Sequence, residues 1–277
     1  MKIKAYAKIN LVLGVNGKRA DGYHEIDSVM QSVSLYDTVT LEKADKITVR
    51  CGDLSGDKNI AFRAAELFFE IAGISGGADI NIEKSIPYPA GLGGGSADAA
   101  AVLLGLNKLY AAGLSLKQLE TAAVTLGADV PFFIRGGTQR AQGIGEILTP
   151  LKPLKGGYLV IAINGEKPST GEMYRKLDGE KHENIDLSNA VKAAEQNDLK
   201  TLSKYCKNSF ATVTGLYGID GIIKDSGPLC VCLSGSGPSV FALYDNPDSA
   251  RQGYELMKEK NIKCYTAEFV SESTETE

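Results

Sequence analysis

The sequence predicts an α+β protein of two lobes, and three observations lead there. The chain has 277 residues, enough for two cores of roughly 100–150 residues each. Its opening residues alternate as a strand, and amphipathic helical stretches and further strands follow, which excludes an all-β or all-α pattern. Near the middle, TPLKPLKGG (Thr149 to Gly157) interrupts both periodicities with Pro and Gly. A boundary near Gly156 divides the chain into a first lobe, residues 1–155, and a second, residues 156–277.

In the first strand Ile3, Ala5, Ala7, Ile9, Leu11 and Leu13 share one parity, while Lys2, Lys4, Tyr6, Lys8 and Asn10 share the other, so one face is core and the other polar. More β structure is expected at Val33 to Leu41 and Ile47 to Cys51. In KNIAFRAAELFFEIAG the positions Ile60, Ala64, Leu67, Phe68 and Ile71 keep helical spacing, with Gly73 as the stop. A strand at Ala78 to Glu83 leads into IPYPAGLGGGS, after which ADAAAVLLGLNKLY resumes a helix. Ser115 and Gln118 stand at capping-box spacing before another helix, with Leu116, Leu119, Ala122 and Leu126 on its apolar side and Gly127 as its stop.

Beyond Gly156 the pattern gives a strand (Tyr158 to Ile163), helices around Leu187 to Cys206 and Leu216 to Asp225, two strands flanking SGSGPS, a helix near Ala250 to Lys260 and a last strand. The order suggests an α+β sandwich with helices on one sheet face. The tail SESTETE is expected to fray.

Composition removes several functions. With 43% hydrophobic and 23% charged residues the chain reads as globular, and a net charge of −4 without a basic block argues against nucleic acid as partner. No apolar run is long enough to span a bilayer, and the alternating start is unlike a secretory leader. Five scattered cysteines do not form a disulfide framework and suit buried thiols in a cytoplasmic protein. Two histidines, His24 and His182, and no CxxC pair leave little material for zinc.

The most informative stretch is PAGLGGGSADAA, Pro89 to Ala100. Gly91, Gly93, Gly94 and Gly95 between a strand and a helix let backbone N–H groups approach an anion, and the helix adds its positive end. The alternative is a flexible loop. Ser96, at the expected N-cap, either caps the helix or turns its hydroxyl to a phosphate or its magnesium ion; Asp98 reads as a cap. The loop is neither a Walker A sequence nor a dinucleotide fingerprint, because no GK[ST] follows and the third fingerprint glycine falls on Ser96. Asp129 in GADVPFF is either an N-cap or a functional base, and Lys8 taken alone is a solvated strand lysine. CLSGSGPSVFAL is a tight hairpin or a second backbone surface for phosphate.

Taken in order, AKINL with DGYH, GLGGGS with DAA, LGADVPFF and SGSGPSVF resemble the GHMP kinase superfamily, over nearly the whole chain. The N-terminal segment AKINLVLGVNGKRADGYHEIDSVMQSVSLYD narrows the resemblance to the branch acting on 4-diphosphocytidyl-2-C-methyl-D-erythritol. The resemblance implies a two-lobed fold, a ribosomal-protein-S5-like lobe followed by a ferredoxin-like α/β sandwich. It implies ATP with Mg2+, phosphorylation of the substrate's 2-hydroxyl, and a cytoplasmic monomer or weak homodimer with no nucleic-acid or membrane partner.

On that resemblance Asp129 is the catalytic aspartate and Lys8 its partner. Pro89, Ala90, Gly91, Leu92, Gly93, Gly94, Gly95, Ser96 and Ala97 hold the nucleotide phosphates, with Asn59 near the adenosine. Tyr23 and Tyr174 flank the cytosine, His24 reads its polar edge, and Asn10 and Thr170 touch the substrate. Two positions depart from the pattern. Ala97 stands where relatives often carry a second serine, and Tyr174 replaces a phenylalanine of some relatives. Other GHMP kinases, a nucleotide sensor and an RNA-binding module are the competing readings.

Overall fold

The structure is a computed structural model that describes residues 1–166, 169–180 and 184–276, so His182 lies outside it. The first half runs β1 (Lys2–Lys18), β2 (His24–Ala44), β3 (Thr48–Arg50), α1 (Ile60–Ala72), β4 (Gly77–Glu83), α2 (Gly94–Leu109), α3 (Leu116–Ala123), α4 (Val130–Arg135), β5 (Thr138–Gly143) and β6 (Ile147–Pro150). The second half runs β7 (Tyr158–Ile163), α5 (Thr170–Asp178), α6 (Ser188–Glu195), α7 (Leu199–Ser203), α8 (Ala211–Thr214), α9 (Ile219–Ile223), β8 (Cys230–Leu233), β9 (Ser239–Tyr244), α10 (Pro247–Glu259), β10 (Lys263–Glu268) and β11 (Thr274–Thr276).

Two sheets result, as the α+β reading requires. The first has seven strands in the order β11-β1-β2-β4-β3, with β5 on β2 and β6 on β5; the second has four, ordered β10-β7-β9-β8. Pairing in the first sheet is antiparallel except for β3 with β4. Helices α1 and α2 close one core over the first sheet, where Phe68, Val102, Leu103 and Leu106 meet Leu41 and Ile80. Gly105 on α2 has no Cβ because Leu41 and Ile3 occupy that space, which lets the helix sit close to the sheet. A second cluster joins Ala7, Ile9 and Leu11 of β1 to Leu159, Ile161 and Phe241 of the second sheet, so both halves share buried apolar surface.

The polar face expected on β1 is not solvated at its middle. Lys8 and Asn10 are each only 3% exposed. The glycine segment covers them: the Lys8 amide donates to Leu92 O at 3.0 Å, and Gly93 lies against the Lys8 stem. Other differences have local causes. Helix α2 starts at Gly94 with Gly93 as N-cap (φ 74°), so Ser96 lies inside the first turn and neither Ser96 nor Asp98 caps it. Leu116, expected to face the core, is exposed because it opens α3, and the buried positions there are Leu119 and Ala123. Asn197 at φ 53° separates α6 from α7 where one helical stretch was expected. His24 opens β2. The tail is ordered as β11 on β1, and Ser273 Oγ donates to Phe133 O.

Candidate active site

A cleft of about 1110 Å3 runs between the first sheet's helical side and the second half, and it collects most of the residues singled out above. At one end lies the glycine segment. Gly91 (φ 75°) and Gly93 (φ 74°) occupy left-handed backbone that favours glycine. Protein contacts add a second requirement, because a Cβ at Gly91 would strike Ser234 O and one at Gly93 the Phe133 ring. Gly95 differs: its Cβ would meet only Ile60, at an ordinary 3.6 Å. The first intrahelical bond of α2 here is Ala97 N to Gly93 O at 2.9 Å, so the amides of Gly94, Gly95 and Ser96 are left for an anion.

Every residue of the predicted nucleotide set lines this cleft except Ala97, which is 1% exposed and packs in the core under α2. A second serine at that position would place its Cβ in the core, so the alanine leaves the cradle of amides unchanged. Asn59 lines the cleft but also caps α1, its Oδ1 accepting from Ala61 N at 2.9 Å.

Beside the loop, the structure adds a charge cluster that sequence reasoning missed. Lys84 donates to Asp98 Oδ2 at 2.7 Å and also pairs with Asp37, which accepts from the amides of Ser85 and Ile86. Burial, opposed by Lys84, pushes the Asp98 carboxyl up to about 7. Burial also works against the Lys84 charge, but the two carboxylates outweigh it and hold the ammonium above its ordinary range. Among the described residues Asp98 Oδ1 has no hydrogen-bond partner.

Lys8 and Asp129 meet at the middle of the cleft, Nζ to Oδ2 at 3.6 Å. Asp129 holds the N-cap position of α4 yet its side chain makes no cap bond, so the carboxylate is not spent on the helix. The Lys8 ammonium is fixed from behind, donating to Asn10 Oδ1 at 2.7 Å. Asn10 Oδ1 also accepts from Gly235 N at 3.0 Å, and its Nδ2 donates to Ser28 Oγ at 2.8 Å. Asn10 is thus a brace that ties Lys8 to the β8–β9 hairpin, and both lone pairs of its oxygen are committed to protein. The SGSGPS segment is the expected hairpin, and its Gly235 and Ser236 also line the cleft.

The far end is built from side chains. Tyr174 stacks on His24 with centroids 4.4 Å apart and planes at 16°, and its edge meets Phe210. Burial, with the Asp129 charge adding, pushes the Tyr174 hydroxyl up to about 12. His24 Nε2 lies 2.6 Å from Asp178 Oδ1, and this hydrogen bond holds Asp178 below the usual carboxylate range. Tyr23 is 60% exposed at the rim. Thr170 Oγ1 shares a 3.3 Å hydrogen bond with Ser236 Oγ. The predicted aromatic pair is therefore unequal, one ring free and the other covered on one face by His24.

The oxygen donors suit a magnesium ion that arrives with a nucleotide. Among the described residues there is no group of three or more His, Cys, Asp or Glu placed to hold a metal. The Ser96 hydroxyl and the unpartnered Asp98 Oδ1, both in cleft-lining residues, are hard oxygen ligands of the kind Mg2+ takes along with phosphate.

A two-sheet fold with a glycine-rich helix start, a buried lysine and a facing aspartate defines a phosphotransferase of the GHMP type. Models of the GHMP kinase N-terminal and C-terminal domains match residues 59–137 and 190–263. The chain is 41% identical over 271 residues to 4-diphosphocytidyl-2-C-methyl-D-erythritol kinase of Clostridium perfringens, covering 94% of each. It is 42% identical over 266 residues to the enzyme of that name from Alkaliphilus metalliredigens, covering 92% of this chain and 91% of the other. A crystal structure of 4-(cytidine 5'-diphospho)-2C-methyl-D-erythritol kinase superposes with TM-score 0.83 at 34% identity, covering 97% and 99% of the two chains. Homoserine kinase from Cytophaga hutchinsonii shares the fold, with TM-score 0.78 at 21% identity over 99% and 96%. The chain belongs to the ATP-dependent GHMP kinases, in the family of 4-diphosphocytidyl-2-C-methyl-D-erythritol kinases.

Proposed function

We propose that the protein transfers the γ-phosphoryl group of ATP to the 2-hydroxyl of 4-diphosphocytidyl-2-C-methyl-D-erythritol, giving the 2-phosphate and ADP, in the non-mevalonate route to isoprenoid precursors. The observation that carries this reading is the Lys8–Asp129 pair at 3.6 Å, buried on the lysine side and set between an amide cradle and an aromatic wall. The hydroxyl oxygen bonds to the γ-phosphorus as the bond to the ADP oxygen breaks, and the hydroxyl proton passes to Asp129. Lys8, aimed by Asn10, stabilises the negative charge that develops on that oxygen. The amides of Gly94, Gly95 and Ser96 receive phosphate oxygens. A magnesium ion, held by Ser96 and Asp98 together with phosphate, would neutralise charge there. Tyr23 stacks on the cytosine and His24 reads its edge, with Thr170 near the diphosphate-linked chain.

The lobes divide at residues 155 and 156 in this reading, and the protein works as a cytoplasmic monomer or weak homodimer. No helix among the described residues is long and apolar enough to cross a membrane, and all five cysteines are free thiols, as a reducing compartment allows. Purified protein incubated with ATP, magnesium and candidate alcohols, with ADP release followed, tests the proposal. Turnover of homoserine or mevalonate without turnover of the cytidyl substrate overturns it.

A further inference from the structure

Asp178 lies on α5, 154 positions from His24 in sequence, and reaches across to it from the second half of the chain. A carboxylate has no proton to donate, so in the 2.6 Å contact Nε2 carries the hydrogen and Asp178 accepts it. A neutral imidazole has one N–H, and that leaves Nδ1 as a bare acceptor. Nδ1 has no protein partner among the described residues. His24 is 8% exposed and is held flat by Tyr174, so tilting the ring breaks the stack and turning it over breaks the hydrogen bond to Asp178.

An acceptor fixed in this way distinguishes the two pyrimidines. Cytosine presents an exocyclic amine that donates to Nδ1, whereas uracil presents a carbonyl oxygen at the same place and would face lone pair against lone pair. We propose that Asp178 is a specificity-determining positioning residue, which fixes the His24 tautomer and so makes the cleft accept a cytidine diphosphate substrate and reject its uridine counterpart. The inference rests on the reading that His24 faces the base.

The test compares kcat/KM for the cytidyl substrate and its uridyl analogue at about pH 8, above the ordinary histidine range. In Asp178→Asn the amide can donate to Nε2 as well as accept from it, which frees the ring to place its proton on Nδ1. The expected result is a fall of about tenfold or more in the cytidine-over-uridine ratio, from a higher KM for the cytidyl substrate, with KM for ATP within about twofold of the parent. Nitrogen NMR of His24 should show the Nε2–H form in the parent and a mixture in the variant, a signature that a merely structural role for Asp178 would not move.

Lys18 also pairs with Asp178, at 3.5 Å, and Lys18→Ala serves as a control that removes the ammonium beside Asp178 while leaving the hydrogen bond from His24 to Asp178 in place. The base ratio should survive it; an equal loss would mean that charge pairing between α5 and β1 sets the ratio, and would overturn the proposal. A cytidine preference unchanged in Asp178→Asn, while His24→Ala raises the cytidyl KM, overturns the role of Asp178 alone. His24→Ala with an unchanged cytidyl KM takes down both the base reading and this one.

Discussion

At the phosphate end of the cleft the wall is backbone, shaped by contacts inside the protein; at the base end it is side chain, assembled from both halves of the chain. Gly91 and Gly93 are glycines because Ser234 O and the Phe133 ring leave no room for a Cβ and because their φ values are near 75°. His24 and Tyr174 meet instead through a ring stack, and Asp178 fixes the result. The first arrangement is set by contacts within neighbouring backbone and side chains of the protein. The second depends on several elements holding their relative places, so substitutions at the two ends should differ in kind: loss of fold at one, loss of discrimination at the other.

The largest expected effect falls between the ends. Asp129→Asn should lower kcat by about two to four orders of magnitude with little change in KM for ATP, measured by steady-state ADP release. A near-normal kcat would reduce Asp129 to the head of α4. Gly91→Ala should next cost about 1–3 kcal/mol through strained φ and collision, a Tm fall of roughly 3–10 °C in a thermal melt. Gly95→Ala meets only ordinary contact, so its Tm should hold within about 2 °C while KM for ATP rises. If both glycine variants lose the same stability, the loop is not divided between packing and binding positions.

His24→Ala should raise KM for the cytidyl substrate about tenfold and leave KM for ATP nearly unchanged, as expected when a hydrogen bond to the base is lost. Equal effects on both would erase the difference between the two ends. The smallest effect concerns Asp98. Its folded-state carboxyl value, about 7, lies above the ordinary value near 3.8, so its contribution to stability is full at low pH and is lost as pH rises toward 7. Asp98→Asn cannot titrate, and the Tm advantage of the parent over this variant should shrink between about pH 4.5 and 7.5. An advantage that grows over that window would mean the carboxylate is stabilised in its charged form.

The sequence made the phosphate end legible because its signals are local. Strand, glycines and helix follow one another, and α1 with Gly73 as its stop appears as its spacing predicts. The solvated Lys8 was misread because burial of a strand face depends on what folds over it, and the covering loop comes much later in the chain. The Asp37–Lys84 contact spans 47 positions and the His24–Asp178 contact 154. Neither spacing belongs to any local periodicity. Helix α5 was passed over because its capping box, Ser169 with Glu172, precedes a segment with only Met173 and Leu177 buried. The hairpin of β5 and β6 escaped notice because Thr138–Gly143 is polar in sequence yet largely buried in the sheet.

Strand β11 places a constraint on synthesis. Tyr6 on β1 donates to Glu275 Oε2 across 269 positions, and the Tyr6 amide donates to Ser273 O at 2.8 Å. An edge of the first sheet therefore stays open on the ribosome until Thr274–Thr276 has been made, long after β1. During that interval β1 presents unpaired amides and carbonyls that a neighbouring nascent chain could capture. Strand β11 fastens a strand that lies 269 positions earlier in the chain.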